Sequence, residues 1–509
     1  MADGGEKTAP TEDVHQKPTA HSIDNQETGE IPSGWMYRSR KIGPIKFPWY
    51  ASPESQLLLV AFTCFLCPGM FNALNGLGGG GQLNRSAGDA SNTALYSTFS
   101  VVGFFAGSIT NWVGIKWALA FGGTGYAVYT SSYLCYNITE NFGYIVFAGF
   151  FLGICAGILW AAQGAIMMSY PLEKDKGRYI SWFWIIFNLG GVIGSLVPLA
   201  ENIHVRTNSK VSNGTYIGFL ILTVIGACMA LTLVDAKKVV RTDGSRIILM
   251  KHPTWKSEIF GLYQTLRSDP YIIFMWPMFF ASNWFYVYQF NDVNLAKFNT
   301  RTRALNNVLY WTMQMVGATV FGYALDYGKL SRRTRARAAW VALLVLTMAI
   351  WGGGYAFQKP YTRAEFNAKE LATFDWTSPG YGGPLVLYMF YGFYDAAWQT
   401  TVYWLMGALT NNSRKLANFA GFYKGIQSAG GAITWRIDGL SHGAPSFMSM
   451  FASCWGLLGG GLLCALPVVL TKVRDHIPIE EDVAFTDETV EDVLGHKVMD
   501  RETPDEIKV

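Results

Sequence analysis

Charged residues are scarce in this 509-residue chain, at 15% against the roughly 25% usual for a soluble domain. Their shortage, with hydrophobic residues at 50%, excludes a string of soluble domains. Histidine is sparse too. All seven lie in tails or loops, without a His-Glu-x-x-His or comparable spacing, so no metal site is expected. The seven cysteines lie mostly within apolar runs; Cys64 and Cys67 have a CxxC spacing, but inside such a run they are expected to pack and not to act as a redox or zinc pair. The net charge of +4 is spread among loops, which leaves no basic face for nucleic acid. Gly76-Leu77-Gly78 through Gly81 imitates a dinucleotide loop, yet it follows an apolar run, lacks a strand and has no Lys-Ser/Thr at its end. No cleavable signal peptide, nucleotide-binding domain, cofactor site or paired catalytic constellation is expected, so an enzyme is not expected either.

What is present is a succession of long apolar runs. A helix needs about 20 mostly apolar residues to cross a bilayer. Twelve such runs are expected, near 55–76, 92–112, 115–135, 143–169, 179–200, 215–234, 270–291, 304–325, 337–356, 382–409, 416–435 and 445–470. The fold class is therefore an all-α membrane protein of about 12 transmembrane helices in two six-helix bundles, 51–234 and 270–471. They are flanked by a disordered tail (1–50), a linker with an interfacial helix (235–269) and an acidic tail (472–509). Within the linker, Trp255, Ile259, Leu262 and Leu266 recur at helical spacing beside Lys256, Glu258 and Arg267, as in a helix lying on a membrane surface.

Basic residues set the expected orientation. Arg38, Arg40, Lys41 and Lys46, then Lys174, Lys176 and Arg178, then Arg332, Arg333, Arg335 and Arg337 fall on one side, which the positive-inside rule makes cytoplasmic along with both termini. The Asn-x-Ser/Thr sequons at Asn84, Asn137 and Asn213 then fall outside and are glycosylation candidates, whereas Asn411 falls inside. The plasma membrane and the endomembranes fit equally well.

The two halves echo one another. Gly107 to Lys116 reads GSITNWVGIK; Gly322 to Ser331 reads GYALDYGKLS, followed by RRTRA. Trp182-Phe183, Gly190-Gly191 and Ile193 match Phe422-Tyr423, Gly430-Gly431 and Ile433. Duplication is the simplest account. In the first motif pair, Asp326 can cap a helix end and pair with nearby arginines to lock one state of the molecule; Asn111 replaces the acid in the first copy and should lock less firmly. A merely solvated helix-end charge is the alternative for Asp326.

Gly157 to Gly164 reads GILWAAQG, the tenth run holds Asp395-Ala-Ala-Trp398-Gln399-Thr400, the first run ends PGMFNALNGLGGGGQ, and Phe187 to Ser195 reads FNLGGVIGS. Through these segments the chain resembles fungal members of the uncoordinated-ninety-three-like (Unc-ninety-three-like) family, a branch of the major facilitator superfamily. The resemblance runs through roughly residues 50–470. It implies two pseudo-symmetric bundles, a central cavity and alternating access, but no particular solute, and some animal relatives are viewed as trafficking chaperones or channel regulators.

Ionisable groups inside a membrane are costly and are functional candidates by default. Asp395 and Lys424 are those in the second half, with Asp292 at the outer end of the seventh run; the first six runs offer almost none. An Asp395–Lys424 pair is expected as either a coupling or gating site or a structural bridge, with Asp395 the proton carrier if protons drive transport. Trp160, Gln163, Asn188, Trp398, Gln399 and Gln427 are expected around the cavity, and Asn72, Asn75 and Asn283 are weaker candidates. Interhelical packing is the competing role for all of them. The functional expectation is a secondary transporter of a small organic solute, with a proton as a candidate coupling ion. The rival is a membrane protein that regulates a partner without transporting.

Overall fold

The computed structural model describes residues 32–42, 45–171, 176–241, 244, 255–410 and 413–475. Asn411, most of the central linker, the acidic tail beyond 475 and the side chain of Asn111 lie outside that description. The first half comprises α1 (Pro53–Leu66), α2 (Pro68–Gly76), α3 (Ser86–Val102), α4 (Ala106–Val113), α5 (Ile115–Thr139), α6 (Phe142–Ser169), α7 (Lys176–Asn202) and α8 (Asn213–Ala230). After α9 (Trp255–Ser268) the second half comprises α10 (Trp276–Ala281), α11 (Phe285–Val287), α12 (Thr300–Leu325), α13 (Arg332–Gln358), α14 (Arg363–Asn367), α15 (Gly382–Leu409), α16 (Ser413–Asp438) and α17 (Phe447–Thr471).

Several spans are interrupted. The first kinks at Cys67, because Pro68 has no N–H to carry the helix through. The second is α3 with α4. The seventh runs through a 3-10 turn at Pro270–Met275, α10, α11 and a π-helix at Tyr288–Leu295. Among the described residues, six helical stretches, including Phe142–Met167 and Phe447–Thr471, are long and apolar enough to cross a membrane on composition alone. Others, such as α3 and α12, carry polar residues that turn inward: Asp89, Ser91 and Asn92 on α3, and Arg303, Asn306 and Asn307 on α12, are all buried. The outward faces are apolar, with Phe147, Ile221, Val345 and Leu463 exposed. A belt of this kind is the surface lipid requires, and the chain is an integral, multi-pass membrane protein.

Glycines reveal the pseudo-symmetry. A Cβ on Gly190 of α7 would strike the Phe65 backbone of α1, and one on Gly430 of α16 would strike the Phe280 carbonyl of α10. Gly191 presses on Trp311 of α12, and Gly431 on Tyr96 of α3. Thus the fifth helix of each half crosses its own first helix and the second helix of the other half at matching positions. The motif copies at Gly107 and Gly322 likewise fall at matching turns, between α4 and α5 and between α12 and α13.

The segment before α1 corrects one expectation. Residues 1–50 were expected to be structureless, but Arg40–Ile42 pairs with Ile45–Phe47 as an antiparallel hairpin. Tyr37 Oη donates to the Lys238 carbonyl at 2.8 Å, and Trp49 Nε1 to the Val240 carbonyl at 3.2 Å. Tyr37 and Trp49 thereby staple this segment to the chain emerging from α8. A helix, α9, occupies the part of the linker where helical spacing was read, with Phe260 and Tyr263 exposed and Leu262 and Leu266 packed on the second half.

Loops 77–85, 203–212, 296–299 and 359–381 share the face opposite the hairpin, called distal here; the turns at Gly114 and 326–331 share the proximal face with it. In the longest distal loop, the Arg301 guanidinium and Thr377 hold the Asp375 carboxyl below the usual carboxylate range, and Asp375 in turn accepts from Asn299 at 2.8 Å, the cap of α12.

Candidate functional site at the interface of the halves

The hydrogen bonds described between the halves all lie between mid-depth and the distal face. Arg303 is wholly buried and donates through Nε to the Leu77 carbonyl (2.8 Å) and through Nη2 to the Gly78 carbonyl (3.0 Å). Gly78 to Gly81 all have positive φ, so this loop needs glycine to offer its carbonyls and N–H groups across the interface. Asn294 donates to the Gly76 carbonyl, Asn307 to that of Ala73, and Asn291 accepts from Gly79 N–H. The π-helix makes this possible, because its wider turn brings Asn291, Asp292 and Asn294 to one buried surface. Beside them Arg85 and Asp89 of the first half meet Asp292, Asp438 and Arg363 of the second.

Deeper and toward the proximal side, the interface loosens into partly exposed aromatic and amide groups. Lys424 on α16 stands over three rings, with Nζ 5.4 Å from the Tyr423 centroid, 5.6 Å from Tyr403 and 5.8 Å from Trp160. Trp160 comes from α6 of the other half and stacks on Trp184, which reaches Tyr403 in turn. No carboxylate among the described residues pairs with Lys424. Its Nζ donates to Gln427 Oε1 at 3.1 Å. Gln427 Nε2 donates to Asn283 Oδ1 (2.9 Å) and Gln399 Oε1 (3.3 Å), and Gln399 Nε2 to Asp395 Oδ1 (2.8 Å).

The expected Asp395–Lys424 contact is therefore corrected: cation and carboxylate are joined through two amides and do not touch. Asp395 is fully buried and accepts from four neutral donors, Gln399, Tyr286, Tyr310 and Gln314. Trp398 is a second correction. It was expected at the cavity but is wholly buried within the second half, donating to Ser282 Oγ at 3.0 Å. A turn of about 100° per residue puts it on a different face of α15 from Gln399. Gln163 and Asn188 are nearly buried in the first half and make no hydrogen bond to a described residue. Asn75 is tied to Asn92 and Tyr129, and Asn283 to Gln427, while Asn72 is partly exposed.

Asp326 caps the end of α12 but is exposed, and none of the described residues bonds its carboxylate. The proximal lock is thus unmade in a structure whose distal side is sealed. Of the sequons, Asn84 and Asn213 are exposed, but Asn137 is buried, accepting from Gln82 at 3.0 Å and donating to Asn213 at 2.6 Å. A glycan has no room on Asn137, which corrects that expectation.

A family profile described as "Ion channel regulatory protein UNC-93" matches residues 79–435. The chain belongs to the UNC-93 family. It is similar to a UNC93-like protein of Schizosaccharomyces pombe, 50% identical over 91% of each chain. UNC93-like protein 1 of Arabidopsis thaliana is 43% identical over 76% of this chain and 84% of the relative. Among solved structures, a D-xylose–proton symporter superposes with a TM-score of 0.55 at 12% identity, covering 82% of this chain and 97% of that one. The nucleoside transporter NupG superposes with a TM-score of 0.53 at 13% identity, covering 82% and 99%. The fold of this UNC-93 family member is that of the major facilitator transporters.

Proposed function

We propose that the chain is a secondary transporter of a small organic solute bearing an acidic group, worked by alternating access between its halves. Lys424 carries this reading: an ammonium reachable from the interface, held by aromatic rings and one amide and lacking a counter-ion among the described residues, is poised for an anion. Trp160 and Tyr403 supply flat apolar walls, and Gln163 and Asn188 the remaining polar contacts. Asp395, held by neutral donors and linked to Lys424 through Gln399 and Gln427, is the coupling residue, and a proton is the coupling ion. The xylose neighbour is itself a proton symporter. The test compares metabolite content inside and outside cells lacking the protein, overproducing it, or making Asp395→Asn. A solute that shifts oppositely in the first two and loses its shift in the third is expected. Unchanged transport by Asp395→Asn across pH would remove Asp395 from coupling.

The family description favours a second reading, in which the chain regulates another membrane protein. No solute change despite correct delivery to the membrane selects it. On either reading the distal face is proposed to be the outer one, with both termini cytoplasmic. Asn84→Gln and Asn213→Gln together are then expected to abolish a glycan-dependent gel shift, whereas Asn137→Gln leaves it intact.

A further inference from the structure

The distal charge cluster does not balance. Arg85 Nη1 lies 3.3 Å from Asp292 Oδ1 and 3.5 Å from Asp438 Oδ1. Arg363 Nη2 lies 3.2 Å from Asp292 Oδ1 and 2.6 Å from Asp438 Oδ1. Two guanidinium groups are thus shared by two carboxylates, and all four side chains are buried or nearly so. A third carboxylate, Asp89, is fully buried beside them. Its Oδ1 accepts from Asn291 at 2.7 Å, but its Oδ2 has no hydrogen-bond partner, and the nearest guanidinium nitrogen, Arg85 Nε, is 3.8 Å away. A buried anion left so poorly paired is expensive, and taking up a proton is the usual escape.

We propose that Asp89 is a proton-binding site that latches the distal face, holding a proton when the halves are closed there and releasing it when they part. The other groups around it do not supply the missing charge. Tyr129 and Tyr133 face it from α5 of its own half. On the far half, Tyr288, Tyr361 and Cys454 face Asp292. Lys297 lies over the Tyr361 ring, and Glu365 caps α14 at the surface. Arg303 is committed to the carbonyls of Leu77 and Gly78 across the glycine loop. When the halves separate, Asp89 and Arg85 leave together on α3, one turn apart, and water replaces the second half around them. The ionised carboxylate is then stable. Closure consequently takes up one proton, so acid favours the closed face and alkali the open one, by at most about tenfold in the ratio per pH unit. The site is independent of what the central cavity carries.

Spin labels at Asn84→Cys and His442→Cys, both exposed on distal loops of opposite halves, read the gap directly in the full chain in lipid nanodiscs. The accessible native cysteines, Cys135, Cys228 and Cys464, are replaced by serine. The expected result is a short distance in acidic buffer, with a longer one gaining population in mildly alkaline buffer. Asp89→Asn is expected to stay short in both. Asp438→Asn, which also balances the charge, is a second variant expected to lose the response should Asp89→Asn fold poorly. A pH-independent distance in the parent protein, or a parent-like pH response in a folded variant, overturns the proposal.

Discussion

Replacing Lys424 with glutamine is expected to cut transport of the solute by about tenfold to a hundredfold while the protein still folds and reaches its membrane. A charge-assisted hydrogen bond is worth about 1.5–3 kcal/mol, and each 1.4 kcal/mol is about a factor of ten in affinity. The stability cost should be small, because Lys424 has only Gln427 as a polar partner among the described residues and is partly exposed. Lys424→Arg keeps the charge and should retain much more activity than glutamine does. The check is flux against solute concentration: loss of a charge that orients the solute raises the concentration for half-maximal flux. An unchanged flux in Lys424→Gln would show that the ammonium is structural.

Arg363→Leu is expected to have the larger effect on the protein itself. It leaves Asp292 and Asp438 sharing Arg85 alone, in a region where neither carboxylate reaches water. Removing one partner from a buried ionic cluster costs about 3–5 kcal/mol, and here the cost falls on the distally closed state. A lower thermal midpoint in detergent and a population shift toward an open distal face are the expected readings. Adding Asp438→Asn to Arg363→Leu removes one of the stranded charges and should recover much of the loss. An unaltered midpoint in the single variant would mean that the cluster contributes nothing to closure.

Sequence exposed the helices well because lipid imposes apolar outer faces on them, and it exposed Asp395 and Lys424 because an ionisable residue inside an apolar run stands out. It hid the distal cluster for a related reason. The second run was expected to begin near residue 92, which left Asp89 outside it; the helix begins at Ser86, and Asp89 is buried against Asn291 of the other half. The eighth was expected from 304 but starts at Thr300, capped by Asn299, which carries Arg301 and Arg303 into the helix. Arg363 and Asp438 had no local signal at all, as their meaning comes from meeting Asp292 in space. Helix rotation decided the rest. It separated Trp398 from Gln399 and inserted two amides between Asp395 and Lys424, neither of which spacing along the chain reveals.

Flux across vesicles containing only the purified protein tests the central claim most directly. The anionic solute singled out by the cellular comparison would be loaded on one side and followed with and without a proton gradient, for the parent chain and Lys424→Gln. The account predicts saturable movement of that solute, accelerated by the gradient and strongly reduced in the variant. Vesicles that pass it no faster than protein-free ones, with the protein folded and inserted, would contradict transport and leave the regulatory reading in its place.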